Sequence, residues 1–220
     1  MNICSFVTPA ASRHRVRRIL RIVSIAPLLV VALLFAAISI AGENIDIGNP
    51  SSAGSTVQSG DEWTIVAGGT DIWGTSDQFR FSHQSISGSG ALTVKVESVG
   101  DSDPWAKAGV MIRADTAVGA PHASVFVTHG MGVSFLWRNT PGGTSTSAKV
   151  PGVSPPIWIK LERHENDFSG FYSDDGKKWT QIGSTQTVMM KKSALAGLAV
   201  SAHSSSTSCT AKLRSFLLKR

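Results

Sequence analysis

The segment 105–114 constrains the fold of this chain more than any other. Its residues form two interleaved sets, the even positions Ala108, Val110, Ile112 and Ala114 and the odd positions Lys107, Gly109, Met111 and Arg113. Apolar side chains at every second position are typical of a β-strand that buries one face, whereas a helix repeats its apolar positions about every 3.6 residues. The segment therefore predicts a central strand of a β-sheet.

Similar short segments lie on both sides of this strand. Apolar residues alternate with polar ones over 92–97 and 157–163, and the turns between segments are rich in Gly, Ser, Asp and Pro. The sequence DDGK at 174–177 is typical of a hairpin turn. About a dozen such strands without an amphipathic helix predict an all-β fold, a two-sheet antiparallel jelly-roll-like β-sandwich over residues 61–220.

The alternation also predicts which side chains form the core. Lys95, Arg113 and Lys160 are expected to point away from it. The expected inward rows are Phe79, Phe81, Leu92, Val94, Val96, Ala108, Val110, Ile112, Ile159, Leu161, Leu198, Val200, Ala202 and Leu213.

Residues 1–41 have the pattern of a targeting segment. Five arginines precede an uncharged run over 22–41, which ends with the small residues Ser39 and Ala41. This pattern predicts a cleaved secretory signal peptide. The alternative is an uncleaved N-terminal membrane anchor, because about 20 apolar residues can span a bilayer. In both cases the rest of the chain is expected outside the cytoplasm, either secreted, periplasmic or anchored. Residues 42–60, rich in Ser, Gly and Asn, are predicted to be a linker or an irregular first loop, with a short edge strand over 45–47 as an alternative.

The positive charge of the chain belongs largely to this leader. The formal net charge is +6, but without the five leader arginines 16 basic and 15 acidic residues remain, a net charge of +1. Nucleic-acid binding would require a clustered basic face, so we expect no nucleic-acid partner and no membrane contact beyond the leader. Cys209 would be the one cysteine left after cleavage, and we expect it to face inward as a small hydrophobic residue. The pattern makes no prediction about oligomeric state.

Catalytic motifs are absent from the sequence. None of the glutamates falls in an E-x-D-x-x-E strand pattern, and there is no G-x-S-x-G elbow or phosphate-binding glycine loop. No catalytic residue is therefore assigned, although a hydrolase with an unrecognised pair of acids stays open as an alternative.

Several segments taken in order resemble the bacterial exported domains grouped as DUF1349, within the concanavalin A-like lectin/glucanase class. They are DIG (46–48), WTI (63–65), GTDIWG (69–74), WAKAGVMIR (105–113), WIKLER (158–163) and FYSDDGKKW (171–179). The resemblance implies a jelly-roll of two antiparallel sheets and a carbohydrate-binding role. A purely structural role in adhesion or assembly is an alternative that the sequence does not separate from binding.

A ligand site is expected where turn acids, exposed aromatic rings and cations meet. The candidates are Asp71, Trp73 and Asp77 from one loop, and Arg113, Trp137 and Arg138 from strands. Tryptophan would stack on a sugar ring, while aspartate and arginine would form hydrogen bonds with hydroxyl groups. No residues are assigned as metal ligands, because the histidines lack zinc spacing. A calcium site among Asp71, Asp77, Asp101 and Asp103 is an open alternative to their role as turn formers.

Overall fold

The computed structural model describes Met1 and residues 42–220, and the predicted signal peptide or anchor lies outside these residues. Residues 42–220 contain strands and loops but no helix, so no helix within them could cross a membrane. The strands are β1 (Glu43–Ile47), β2 (Ser55–Ser59), β3 (Glu62–Gly69), β4 (Ile72–Trp73), β5 (Ser76–Asp77), β6 (Phe79–Ser87), β7 (Gly90–Val99), β8 (Lys107–Arg113), β9 (His122–Thr128), β10 (Val133–Arg138), β11 (Thr146–Val150), β12 (Ile157–His164), β13 (Asp167–Ser173), β14 (Thr180–Gln181), β15 (Gln186–Thr187), β16 (Ser193–Ser201) and β17 (Ser204–Lys219).

The strands form two large antiparallel sheets and one small hairpin. Sheet A has the order β1-β6-β16-β8-β9-β10-β11, and sheet B has the order β14-β13-β12-β7-β17-β3-β2 with β15 beside β13. Strands β4 and β5 pair with each other as a separate hairpin. The predicted all-β, two-sheet antiparallel architecture is thus confirmed.

Strand β8 lies at the centre of sheet A, as its sequence predicted. Its even residues, such as Val110 and Ile112, lie in the apolar core between the two sheets. Its odd residues Lys107, Met111 and Arg113 point away from that core, yet they are buried as well. Loops cover the outer face of sheet A, so the strand has two buried faces instead of the one expected from its alternation.

The expected inward rows are confirmed except on β6. Phe79 and Phe81 are fully buried, but they belong to a second apolar cluster on the outer face of sheet A, together with Ile72, Met111 and Phe126. The pairing of β6 with β16 places Phe81 opposite Ala199, which also belongs to this second cluster. The alternation of β6 correctly predicted that Phe79 and Phe81 are buried. It could not show that they face away from the inter-sheet core.

The predictions for sheet B and for the cysteine agree with the structure. Lys95 and Lys160 lie on its outer surface, where they pair with Glu97 and Glu162. Cys209 is buried in the inter-sheet core, and burial raises the pKa of its thiol to about 11. The thiol is therefore protonated at neutral pH and is shielded from reagents.

Residues 42–60 form two strands instead of a linker, and the first of them contains the edge strand considered over 45–47. They contribute β1, an edge strand of sheet A, and β2, an edge strand of sheet B. Strand β2 consists of Ser, Thr, Val and Gln and is largely exposed. An edge strand with solvent on most of its surface needs few apolar residues, so composition alone gave it the appearance of a loop.

Removing side-chain volume at Ile112 should distinguish the core from the surface. Ile112→Ala is expected to lower the free energy of unfolding by about 2–5 kcal/mol, because a fully buried side chain leaves a cavity. Ile45→Ala deletes the same atoms at a site that is 37% exposed, and should cost clearly less. Urea denaturation of both variants measures the difference, and equal losses would contradict the proposed position of β8 in the core.

Candidate functional site

Strand register brings polar side chains together at one end of the outer face of sheet A. Lys107 of β8 lies opposite Thr128 of β9, and Ser134 of β10 lies opposite Lys149 of β11. Residues directly opposite each other on neighbouring strands share a face of the sheet. Four strands thus contribute an ammonium or a hydroxyl group to a single surface.

A cleft of about 250 Å³ opens over this surface. Segments from outside sheet A form its remaining walls: the loop before the β4–β5 hairpin, the hairpin itself, the loop before β8, and the turn between β16 and β17. Its lining residues are Asp71, Trp73, Trp105, Lys107, Thr128, Ser134, Leu136, Ser147, Lys149 and His203.

A chain of charged and polar side chains runs along one side of the cleft. The buried ammonium of Lys107 donates a hydrogen bond to the Asp71 carboxylate. The second oxygen of Asp71 lies 3.3 Å from Nε2 of His203, and Nδ1 of His203 lies 3.0 Å from Oδ1 of Asp103. Burial lowers the pKa of Lys107, while the charge of Asp71 acts in the opposite direction. The ion pair therefore compensates much of the cost of burying this ammonium.

Two tryptophans face a single ammonium group on the other side. Nζ of Lys149 lies 4.2 Å from the ring centroid of Trp105 and 5.7 Å from that of Trp73. These distances are in the range of cation–π interactions. The Trp73 side chain is 40% exposed, so one large aromatic surface is available at the cleft.

A buried ionic cluster lies beneath the β4–β5 hairpin. The guanidinium of Arg138 donates two hydrogen bonds of 2.7 Å to the two oxygens of Asp77, and Arg113 donates one of 3.2 Å. All three side chains are inaccessible to solvent. Arg138 also donates to the carbonyls of Gly74 and Gly143, so it joins the hairpin that carries Trp73 to the loop before β11.

His122 lies between the two arginines on the neighbouring strand. It is directly opposite Arg113 on one side and Arg138 on the other. Burial, followed by the positive charges of these two arginines, lowers the pKa of His122 well below its usual value. The imidazole is therefore neutral at physiological pH, and the charge of the cluster comes from the two arginines and Asp77.

The structure divides the six predicted site residues into three groups. Asp71 and Trp73 line the cleft. Asp77, Arg113 and Arg138 do come together, but in the sealed ionic cluster, where no ligand can reach them in this conformation. Trp137 lies on the opposite face of β10, where it packs on Phe135 against the inter-sheet core. Its neighbour Leu136 faces the cleft, so strand alternation directs Trp137 away from it.

The six predicted site residues did not include Trp105, Lys107, Lys149 or His203. Lys107 had a usable signal, because it shares the odd parity of β8 that points away from the core, and Trp105 lies in the turn just before that strand. Lys149 and His203 had no local signal. Pairing of β11 with β10 brings Lys149 to the cleft, and the turn after β16, where His203 adopts a φ of 53°, positions the imidazole.

Three of the four turn aspartates considered for calcium pair with basic side chains, and one of them, Asp103, lies beside His203. Asp71 pairs with Lys107 and His203, and Asp77 pairs with two arginines. Within the described part of the chain, no group of three or more His, Cys, Asp or Glu side chains has an arrangement that could hold a metal ion.

Comparisons with known proteins relate the chain to others by fold. No protein-family model matches the sequence, and no curated protein is significantly similar to it. A functionally unknown protein from Saccharomyces cerevisiae superposes with a TM-score of 0.64 at 15% identity, over 81% of this chain and 96% of that one. A mutant GH43 protein from Bacillus licheniformis gives a TM-score of 0.56 at 12% identity, over 75% of this chain and 38% of that one.

A legume lectin-like domain from Entamoeba histolytica gives a TM-score of 0.50 at 9% identity, over 80% of this chain and 96% of that one. The chain spans well under half the length of the GH43 protein, so that similarity concerns only part of it. At such low identities these similarities show a shared β-sandwich fold, and they do not transfer an activity.

Replacing Asp77 tests whether the ionic cluster holds the site together. Asp77→Asn is expected to lower the free energy of unfolding by about 3–5 kcal/mol, because it leaves two buried guanidinium groups without a counter-charge. Asp174→Asn makes the same chemical change in an exposed turn and should shift stability by less than about 0.5 kcal/mol. Thermal and urea unfolding measure both. A loss at Asp77 no greater than at Asp174 would contradict the structural role of the cluster.

Proposed function

We propose that this protein is an exported, non-catalytic carbohydrate-binding module of the DUF1349 type, in the concanavalin A-like class, and that the cleft on sheet A is its binding site. The observation that carries the proposal is the meeting of two tryptophans, a carboxylate, two ammonium groups and several hydroxyls in one cleft of about 250 Å³. A sugar ring has apolar faces and a polar edge, so it needs this combination of groups.

Each group has a role that follows from its position. The exposed ring of Trp73 provides a surface on which a pyranose can stack. Asp71 can accept a hydrogen bond from a sugar hydroxyl, and its own orientation is fixed because Oδ1 also accepts from the backbone N–H of Ile72 at 2.7 Å. Ser134 and Ser147, on neighbouring strands, supply hydroxyls at the base of the cleft. This fixed arrangement favours selective binding because little needs to be ordered when a ligand enters.

The shared fold is consistent with the proposal, but the fold alone does not assign a carbohydrate-binding function. The legume lectin-like domain and the GH43 protein have names that indicate carbohydrate chemistry, but one indicates binding and the other hydrolysis. The same fold can support both, so the choice depends on the groups in the cleft.

Glycan hydrolysis is the second candidate, because Asp71 and Asp103 lie on opposite sides of His203. A glycosidase of the usual kind needs two carboxyl groups that face each other across the bond to be cleaved. Among the residues that line the cleft, Asp71 is the one carboxylate, and it is already paired with Lys107. Binding without turnover is therefore the better match to the cleft.

A glycan array tests the proposal on purified residues 42–220, the part of the chain that forms the sandwich. Trp73→Ala and Trp105→Ala should each weaken binding about three- to tenfold, because stacking on the ring is lost. Trp179→Ala is a matched control, since Trp179 also has a lysine, Lys160, 4.9 Å from its ring centroid, but lies on the outer surface of sheet B. It should bind like the wild-type protein.

Other results of this experiment would change the assignment. Equal weakening by all three tryptophan variants would point away from the cleft. Release of reducing sugar by the wild-type fragment would overturn the non-catalytic assignment, and its loss in Asp71→Asn would identify that carboxylate as part of the chemistry.

Export of the protein is proposed from the leader sequence and has its own test. N-terminal sequencing of the protein recovered outside the cytoplasm should give a start at Gly42, because signal peptidase reads small residues such as Ser39 and Ala41. An intact leader in the membrane fraction would support the anchor alternative. Retention of the full chain in the cytoplasm would contradict export in either form.

A further inference from the structure

The charges that face the cleft are unevenly paired. Lys107 is neutralised by Asp71, and His203 lies between Asp71 and Asp103. Lys149, in contrast, is exposed, and within residues 42–220 it forms no ion pair with a carboxylate. Its ammonium instead lies over the rings of Trp105 and Trp73, so the cleft presents one positive charge that has no acidic counterpart in the described chain.

We propose that the saccharide bound in this cleft is acidic, a pyranose that carries a carboxylate or sulfate group, and that Lys149 selects it. This inference rests on the proposed carbohydrate-binding function and specifies its ligand class. Lysine donates well to either anionic group, because its compact ammonium carries three N–H donors and a full charge.

The position of the ammonium gives a physical reason for this selectivity. A neutral sugar that stacks at the position where the Lys149 ammonium lies against the rings replaces that ammonium, and a cation–π interaction is lost. An acidic sugar in the same place gives the ammonium an ion-pair partner. The two tryptophans and Lys149 thus act together: the tryptophan faces bind the sugar ring, and the ammonium binds its anionic group.

The two lysines differ in their freedom to respond to a ligand. Lys107 is buried and tied to Asp71, whereas Lys149 lies on β11, the edge strand of sheet A. The positive charge of Lys149 is among the influences that lower the pKa of Lys107, after the larger effect of burial.

Matched pairs of saccharides test the inference. For carboxylates, the probes are oligogalacturonate and oligomannuronate, each measured beside its carboxyl-reduced neutral form. For sulfates, the probes are dextran sulfate and dextran. Isothermal titration with wild-type protein should show about three- to fivefold tighter binding of the acidic member of at least one pair, the size expected for a partly exposed ion pair. This preference should decrease as salt is added.

Three variants separate charge recognition from general effects. Lys149→Met should abolish the preference, because it should weaken the acidic probe about three- to fivefold more than the neutral one. Lys149→Arg keeps the charge and should keep the preference. Lys160→Met removes a lysine that lies 4.9 Å from the ring centroid of Trp179 on sheet B, and should change neither probe.

The outcomes distinguish this inference from the function on which it rests. If neutral glycans bind in a manner that depends on Trp73 and no acidic probe is preferred, the inference is wrong and the binding function stands. If the preference survives Lys149→Met, or disappears equally in Lys160→Met, another surface carries it and the inference is also wrong. If no saccharide binds and Trp73→Ala has no effect, both proposals are wrong. Loss of the preference in Lys149→Met alone supports the inference.

Discussion

The buried contact of Asp77 with Arg113 and Arg138 is the interaction on which the site depends. It anchors the β4–β5 hairpin to two strands of sheet A, and all its side chains are excluded from water. Buried charges need hydrogen-bond partners to offset the loss of water. Arg138 has such partners beyond Asp77, because it also donates to backbone carbonyls of the covering loops. That hairpin carries Trp73, so the ionic cluster connects one wall of the cleft to sheet A.

Sheet A has two buried faces because apolar side chains and covering loops lie on its outer face as well. Its inner face packs on sheet B, while Phe79, Phe81 and Met111 form a second apolar layer on the outer face. The aliphatic and aromatic surface of this layer supports the guanidinium of Arg113, whose carbon lies 5.2 Å from the ring centroid of Phe79. At one end of the outer face, the ionic cluster and the aromatic side chains exclude solvent. At the other end, the surface is open and forms the cleft.

The sequence grouped Asp71 with Trp73 because the two residues are close along the chain. Asp71 and Trp73 belong to one short Gly-rich segment, and both line the cleft. The same reasoning placed Asp77, Arg113 and Arg138 in one site, and these three side chains are in contact. The sequence did not show that they are buried, because their burial depends on the loops that cover the sheet. Trp137 was named as a candidate without a face, and the position of β10 beside β9 and β11 turns its side chain toward the inter-sheet core.

The sequence by itself determined the β class, the period of the strands, and the residues that would alternate between two environments. These properties are local, since alternation follows from the geometry of a single extended chain. Tertiary structure decided which face of each strand packs in the inter-sheet core and which face lies on the outside of the sheet. It also brought Lys149 and His203 close to Asp71 and Trp105. Such contacts join strands far apart in sequence, and they are set by strand order and register, which depend on the packing of the whole sandwich.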